Sequence, residues 1–203
     1  MNQSAESPLK RVALTVCAGL ALSWVSCERH EAVRTPGVAA PTPTERAKVA
    51  AMAAFETLSG ELSKAMTAGG PVAAIAVCSE MALPLTAEVG GEHGVVLTRL
   101  SDRPRRPGQD ASGADAAALT AFREAIKAGE APSPQHEEMP DGSTVVRLPI
   151  VISQPVCLQC HGGDDVAAET RAKLQDLYPD DQATGYKLGE LRGLWRVEVP
   201  AAE

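Results

Sequence analysis

One short pattern constrains this chain more than any other, the pentad Cys157-Leu158-Gln159-Cys160-His161. Two cysteines separated by two residues and followed at once by a histidine form the C-x-x-C-H pattern of c-type haem attachment. The spacing has a physical reason, because two thiols must reach adjacent vinyl groups on one porphyrin edge while the next residue turns under the ring. We therefore expect one covalent haem c, with Cys157 and Cys160 as its anchors and His161 as a ligand of its iron.

Two other chemistries use the same cysteine spacing. A zinc site needs two more ligands at short spacing, and none follows the pentad. A redox-active dithiol usually opens a helix after a buried strand. This pair is followed directly by a histidine, and the chain begins with the pattern of an export signal. Haem attachment is therefore favoured, and the following Gly162-Gly163 pair would leave room for backbone beside a macrocycle.

The N-terminus has the sequence pattern of an export signal. Lys10 and Arg11 precede an apolar run of 14 residues, Val12–Val25, which is short for a membrane span but suits a signal peptide. The run ends at Ser26-Cys27, which resembles a bacterial lipoprotein signal, although Trp24 fits that pattern poorly. We predict a signal peptide over 1–26, with Cys27 as a candidate lipid anchor and a periplasmic or cell-envelope location. Ordinary cleavage nearby and an uncleaved anchor remain alternatives.

Charge and cysteine count limit the remaining chain. The net charge of −7 makes nucleic acid an unsuitable partner. Outside the cytoplasm, paired cysteines are expected to form disulfides unless another group holds them. The mature domain that follows Cys27 contains Cys78, Cys157 and Cys160. Since three is an odd number, one thiol is left over.

The pattern of apolar residues predicts a small α+β domain. Residues 27–44 form a proline-rich tether, and Thr44 is a candidate cap for the first helix. Loops are expected over 102–114 and 130–143. Pro149 predicts that its strand is bent or lies at an edge of the sheet. The predicted elements are helices over 45–68, 71–88, 115–128 and 166–177, and strands over 95–100, 144–152 and 193–199. This order favours a small antiparallel sheet with helices packed around it.

A haem iron held by His161 needs a second axial ligand or an open face. Six residues are candidates, and sequence spacing alone does not choose between them: Cys78, Met66, Met81, Met139, His93 and His136. Cys78 is the thiol left over, in the Ala/Val-rich segment AAIAVCSEM, although buried cysteines are often inert. Met81 lies on the same helical face and is the next choice.

Four segments of the chain resemble a known family. They are AIAVCSEMALPL, LTRLSDRPRRP, RLPIVISQPVCLQCHGG and YPDDQATGYKLGELRG, which together represent about residues 45–199. They are similar to the Tll0287-like family of bacterial c-type haem-binding domains with a PAS-like fold. The strongest likeness lies in the haem motif and in the downstream pattern Tyr-Pro-x-Asp-x-Ala-x-Gly-Tyr-x-x-Gly. The resemblance implies a haem-c PAS-like domain over 45–203.

The resemblance also implies roles for individual residues. The family has a cysteine in the second helix as the axial ligand opposite the haem histidine, and Cys78 matches it. Arg99 and Ser101 match a loop that is asparagine-rich in the family, but Arg106 and Gln109 stand where asparagine is expected. Arg99, or its neighbours Arg105 and Arg106, could pair with haem propionates. A solvated loop is the alternative for these arginines.

The function expected from these features is redox or small-ligand sensing through a single haem, with a gas as one candidate ligand. One-electron transfer is an alternative. A peroxidase-like enzyme is a third reading, disfavoured because His93 and His136 lie in predicted loops and form no convincing acid/base pair. No output segment is recognisable in the chain, so a sensing role requires a signalling protein as partner and electron transfer requires a redox partner.

Overall fold

A computed structural model describes residues 40–201 of the chain. The helices and strands are α1 (Pro43–Glu92), β1 (Val96–Leu100), α2 (Gly113–Lys127), β2 (Gln135–Glu138), β3 (Thr144–Val151), α3 (Leu158–His161), α4 (Ala168–Leu177) and β4 (Leu191–Val199). A 3-10 turn at Pro155–Cys157 leads directly into α3. The predicted signal peptide, Cys27 and most of the predicted tether lie outside the described residues.

The four strands form one antiparallel sheet in the order β1-β4-β3-β2. The predicted α+β class with a small antiparallel sheet is confirmed. The prediction of a loop over 130–143 was wrong, because β2 lies within it and pairs with β3 from Gln135↔Arg147 to Glu138↔Thr144. The four residues QHEE carry no alternating apolar pattern, so the partner strand, and not local sequence, determines this short edge strand.

Proline at position 149 is accommodated although β3 is an interior strand. Pro149 pairs with Leu194 of β4 on one side. On the other side, β2 pairs with β3 only as far as Arg147. Pro149 therefore lies where β3 has a strand neighbour on one side, so the edge prediction holds for this part of the strand. This placement agrees with the rule that proline, which cannot donate to the ladder, is found at edges.

Helix α1 contains the two predicted helices, joined at a kink. Gly69 and Gly70 have non-helical backbone angles, and Gly70 has φ 67°, a conformation that favours glycine. We call residues 43–68 the N-terminal arm and residues 71–92 the C-terminal arm. The first arm begins earlier than expected, because Thr42 rather than Thr44 is its cap. The Thr42 hydroxyl accepts from the Glu45 N–H at 3.2 Å, and the Glu45 carboxylate accepts from the Thr42 N–H at 2.8 Å, which forms a capping box.

The sheet has a packed helix on each face. Small side chains of the N-terminal arm, Ala47, Ala50 and Ala54, are fully buried in a cluster with residues of β3 and β4. On the other face, Leu119 and Phe122 of α2 pack against Leu191 and Leu194 of β4. By length and composition alone, α1 is apolar enough to cross a membrane. Its buried alanines, however, lie on the side of the helix that packs against the sheet.

Candidate functional site

A cleft of about 320 Å³ lies beside the sheet and is lined by both arms of α1, the end of β1, the loop after it and the Pro155–His161 segment. Cys78, Cys157, Cys160, His161 and Arg99, the five site residues expected from sequence, all contribute to its walls. Most of the rest is apolar. The apolar lining includes Leu58, Leu62, Ile75, Leu85, Ile150 and Trp195.

The C-x-x-C-H pentad adopts a compact helical turn. The 3-10 turn ends at Cys157 and α3 continues to His161, so Cys157 and Cys160 are three positions apart on helical backbone and lie on one side of it. The Gly162 N–H closes the turn by donating to the Leu158 carbonyl at 2.9 Å. A Cβ at Gly162 would collide with that carbonyl oxygen, whereas the nearest atom at Gly163 is 4.0 Å away. The first glycine is therefore required by the turn itself.

The imidazole of His161 is held in one orientation. Its Nδ1 lies 2.8 Å from the carbonyl oxygen of Ala183, which only accepts, and 3.3 Å from Arg105 Nη2, which only donates. The shorter contact assigns the hydrogen to Nδ1. Burial lowers the pKa of His161 well below its ordinary value, and the charges of Arg105 and Arg192 lower it further. The side chain is therefore a neutral imidazole with its lone pair on Nε2, the form in which histidine binds metals.

The stretch from Tyr178 to Tyr186 forms a clamp around this histidine. The Tyr186 N–H donates to the His161 carbonyl at 2.8 Å, and the Gly185 N–H donates to the Gly162 carbonyl at 2.6 Å. The Tyr186 ring meets the imidazole edge-on, with centroids 6.2 Å apart. The downstream sequence pattern therefore has a structural role, because its backbone fixes the position and tautomer of His161.

Arg105 connects the clamp to the haem motif. Its Nε donates to the Asp181 carboxylate at 3.0 Å, and both side chains are largely buried. Its Nη2 donates to the Cys160 carbonyl at 2.7 Å. The second carboxylate oxygen of Asp181 accepts from the Ala183 N–H at 2.8 Å. One ion pair thus ties Cys160 to the residue whose carbonyl orients His161.

Cys78 is a partly buried thiol in the C-terminal arm of α1. Burial raises its pKa, while the positive charges of Arg99, Arg105 and Arg106 oppose that rise. Burial also raises the pKa of Cys160, and the charge of a Cys78 thiolate would raise it further. Both thiols line the same cleft.

The other candidate axial ligands separate into two groups. Met66 and Met81 line the cleft, and Met81 is 41% exposed. Met139, His93 and His136 are not among the cleft-lining residues. Within residues 40–201, no cluster of three or more His, Cys, Asp or Glu side chains is arranged to hold a metal ion.

The arginines near the cleft differ in what they bind. Arg106 donates to the Ser79 carbonyl and approaches the Tyr178 hydroxyl at 3.4 Å, and Arg105 is held by Asp181. Arg99 has its guanidinium 5.5 Å from the ring centroid of Trp195. A fourth arginine, Arg192, also lines the cleft. It lies in the quoted stretch YPDDQATGYKLGELRG, but no sequence signal showed that its side chain enters the site.

Comparison with known proteins agrees with this fold. No curated protein matches the chain. Among solved structures, the crystal structure of the cyanobacterial heme-protein Tll0287 is similar with a TM-score of 0.56 and 24% sequence identity, over 80% of this chain and 99% of that one. This likeness shows a shared fold. The sequence profile of the Tll0287-like family matches residues 27–200, and the chain therefore belongs to the Tll0287-like family.

Proposed function

We propose that this chain binds one haem c covalently in the cleft and uses it to sense redox state or a small ligand. Cys157 and Cys160 form the thioether bonds, and Nε2 of His161 binds the iron. The observation that carries the proposal is the state of His161, whose Nδ1–H donates to Ala183 at 2.8 Å. That hydrogen bond presents the other ring nitrogen to a cleft that both motif cysteines also line. The similar cyanobacterial protein is a heme-protein, which supports haem binding by this chain.

The lining of the cleft suits a porphyrin chemically. The macrocycle is apolar over its faces, and apolar side chains, among them leucine, isoleucine, valine, methionine and tryptophan, form most of the wall. Its two propionates are anionic, and the cleft supplies guanidinium groups. When bound, the haem supplies a one-electron iron centre whose potential depends on its axial ligands and surroundings. The chain holds the macrocycle, orients His161 and limits the access of water.

Cys78 is the proposed second axial ligand. Two observations support it over the two cleft methionines. Cys78 is left without a partner once the haem takes the other two thiols, and the charges of Arg99, Arg105 and Arg106 oppose the rise that burial causes in the pKa of its thiol. A thiolate stabilises ferric iron and gives a low reduction potential, whereas a methionine would raise it. The family resemblance assigns the same position.

The placement of Cys78 supports the sensing role. It belongs to the C-terminal arm of α1, which begins at the Gly69–Gly70 kink, and Ile75 of that arm packs with Leu174 of α4 and Cys160 of α3. Cys78 would hold the iron as a thiolate. A proton taken up by that sulfur on reduction of the iron would free it, which would release the constraint on this arm and leave a position for a gas. Ligation and helix position would then form one two-state element. A signalling protein at the envelope would read the change, with Cys27 as the proposed lipid anchor.

One-electron transfer is the second candidate. Cys157 is partly exposed, and Val156 beside it is 37% exposed, which would leave the attached edge of the haem near solvent for a redox partner. A peroxidase-like activity has less support. His93 and His136, the histidines considered for its acid/base chemistry, do not line the cleft.

Spectra and potentials of matured protein test the proposal. Cys78→Ala should retain haem but change the ferric absorption spectrum and raise the reduction potential, and Cys78→Met should raise it further. Met81→Ala is the matched control and should change neither. Carbon monoxide binding to the reduced wild type supports sensing, whereas a ligand that stays through the redox cycle supports electron transfer. An unchanged spectrum and potential in Cys78→Ala would refute thiolate ligation and the switch that depends on it.

A further inference from the structure

Strand β4 contains an irregularity at the edge of the cleft. Ile150 of β3 pairs with Gly193 and Val151 pairs with Leu191, so Arg192 has no partner in this register. An extra residue of this kind bends a strand and redirects its side chain. Further along β4, Leu194 and Trp195 alternate between the two core clusters. By simple alternation Arg192 would face the α2 side with Leu194, but it lines the cleft with Trp195.

Arg192 is an unusually placed cation. Its Nη1 donates to the Arg103 carbonyl at 3.3 Å, and its guanidinium lies 5.6 Å from the ring centroid of Tyr186. Its Nε is buried and has no hydrogen-bond acceptor. Burial lowers the pKa of Arg192 to about 10, and the charges of Arg105 and Arg99 add to that effect. Because buried polar groups are normally satisfied, the set of groups around Arg192 is incomplete.

The charges around the cleft do not balance. Four guanidinium groups line it, those of Arg99, Arg105, Arg106 and Arg192. Of these four, and within residues 40–201, only Arg105 has a carboxylate partner, Asp181. Glu61, the one carboxylate that the described residues contribute to the lining, pairs with Lys64. Arg106 is held by a carbonyl and a hydroxyl. Within the described residues, Arg99, Arg106 and Arg192 therefore lack an anionic partner, and of these three Arg192 alone has a buried side-chain N–H without an acceptor.

We propose that Arg192, together with Arg99, binds a propionate carboxylate of the haem. The inference rests on the proposed function, which supplies the macrocycle, and it adds Arg192 to the haem-binding residues. A carboxylate in the cleft would supply an anionic partner for these two guanidinium groups. The guanidinium of Arg192 is suited to it, because arginine binds carboxylates through a planar fork of N–H groups. The bulge at Arg192 is then the feature of β4 that positions the fork.

The test uses matured, haem-loaded protein. The variant Arg192→Gln removes the charge, Arg192→Lys keeps the charge but removes the fork, and Arg103→Gln is the matched control. The Arg103 side chain lies against the same Tyr186 ring, 4.2 Å from its centroid, but does not line the cleft. The two readouts are the propionate bending vibration in the resonance Raman spectrum and the reduction potential.

Arg192→Gln should shift the propionate vibration and lower the potential, because a propionate without its cation stabilises ferric iron. Arg192→Lys should also shift the vibration but should recover most of the potential. Arg103→Gln should change neither. If the Arg192→Gln protein cannot be produced, Arg192→Lys is the deciding variant. A propionate vibration in Arg192→Lys identical to that of wild type would then overturn the proposal. The proposal is also overturned if Arg192→Gln and Arg103→Gln have the same propionate vibration and the same reduction potential.

The failure of this inference differs from the failure of the proposed function. If wild-type protein carries no haem after maturation, the proposed function is wrong. If wild type and both Arg192 variants carry one haem with the same vibration and potential, the proposed function stands and the role of Arg192 is wrong. Loss of thermal stability without a change in either readout would assign Arg192 a structural role only.

Discussion

The ion pair between Asp181 and Arg105 holds the C-x-x-C-H pentad in place, because Arg105 also binds the Cys160 carbonyl. The variant Asp181→Asn tests this role. The carboxylate accepts from Arg105 Nε at 3.0 Å with one oxygen and from the Ala183 N–H at 2.8 Å with the other. An asparagine of nearly the same shape keeps the second bond. It loses the negative charge and turns an amide N–H₂ toward the guanidinium. Arg105 keeps its carbonyl partners at Cys160 and Ala183.

The magnitude follows from the burial of the pair. The Arg105 and Asp181 side chains are 14% and 7% exposed, so solvent screens them little. Breaking a buried pair by removing one partner costs about 3–5 kcal/mol, and losing a single charge-assisted hydrogen bond costs about 1.5–3 kcal/mol. Because Arg105 keeps its carbonyl partners, Asp181→Asn should lower the free energy of unfolding by about 2–3 kcal/mol, near the lower of these two ranges. For a domain of this size that corresponds to a fall in Tm of about 4–12 °C.

Thermal unfolding followed by circular dichroism measures this loss. Asp180→Asn is the matched control, since it changes the same charge at an exposed neighbouring position and should lower Tm by no more than about 2 °C. The double variant with Arg105→Gln should be less destabilised than the sum of the two single changes, because each single change leaves its partner unpaired. Equal Tm values for Asp181→Asn and Asp180→Asn would refute the reasoning about the clamp.

Three further predictions follow from other parts of the chain. Gly162→Ala should reduce the yield of attached haem, measured by haem stain, because a Cβ collides with the turn, while Gly163→Ala should attach normally. Phe122→Ala should cost about 3–5 kcal/mol in denaturant unfolding, since this side chain is only 1% exposed, and the exposed Thr120→Ala on the same helix should cost far less. Cys27→Ser should release the protein from the membrane fraction of cells if this cysteine carries lipid, and identical fractionation of wild type and variant as soluble periplasmic protein would contradict that anchor.

Much of the fold could be predicted because its signals are local. The break at Gly69-Gly70, the helix that contains Phe122 and the long apolar strand before the haem motif all depend on residues close together in sequence. The strand β2 could not be predicted, since QHEE has no strand pattern and is determined by its partner. The helix start was misplaced by two residues because Thr42 and Thr44 are both good caps, and only Thr42 has a glutamate at the third following position.

The site was predictable where chemistry requires a fixed spacing. Cys157, Cys160 and His161 form a contiguous pattern, and Cys78 was indicated by its unpaired thiol and by resemblance. Arg192 was missed because its orientation depends on a register shift between β3 and β4, which no pattern in one sequence reveals. Asp181 and Ala183 belong to a recognisable stretch, but their contact with the haem motif appears only when the chain is folded.

The central claim is that Cys157 and Cys160 bind one haem covalently. Intact mass spectrometry of denatured protein, produced in a strain that has haem-attachment machinery, tests it most directly. We predict a mass above that of the polypeptide by one haem, and the loss of this addition in the double variant Cys157→Ala/Cys160→Ala. A wild-type mass equal to the bare polypeptide would contradict the account.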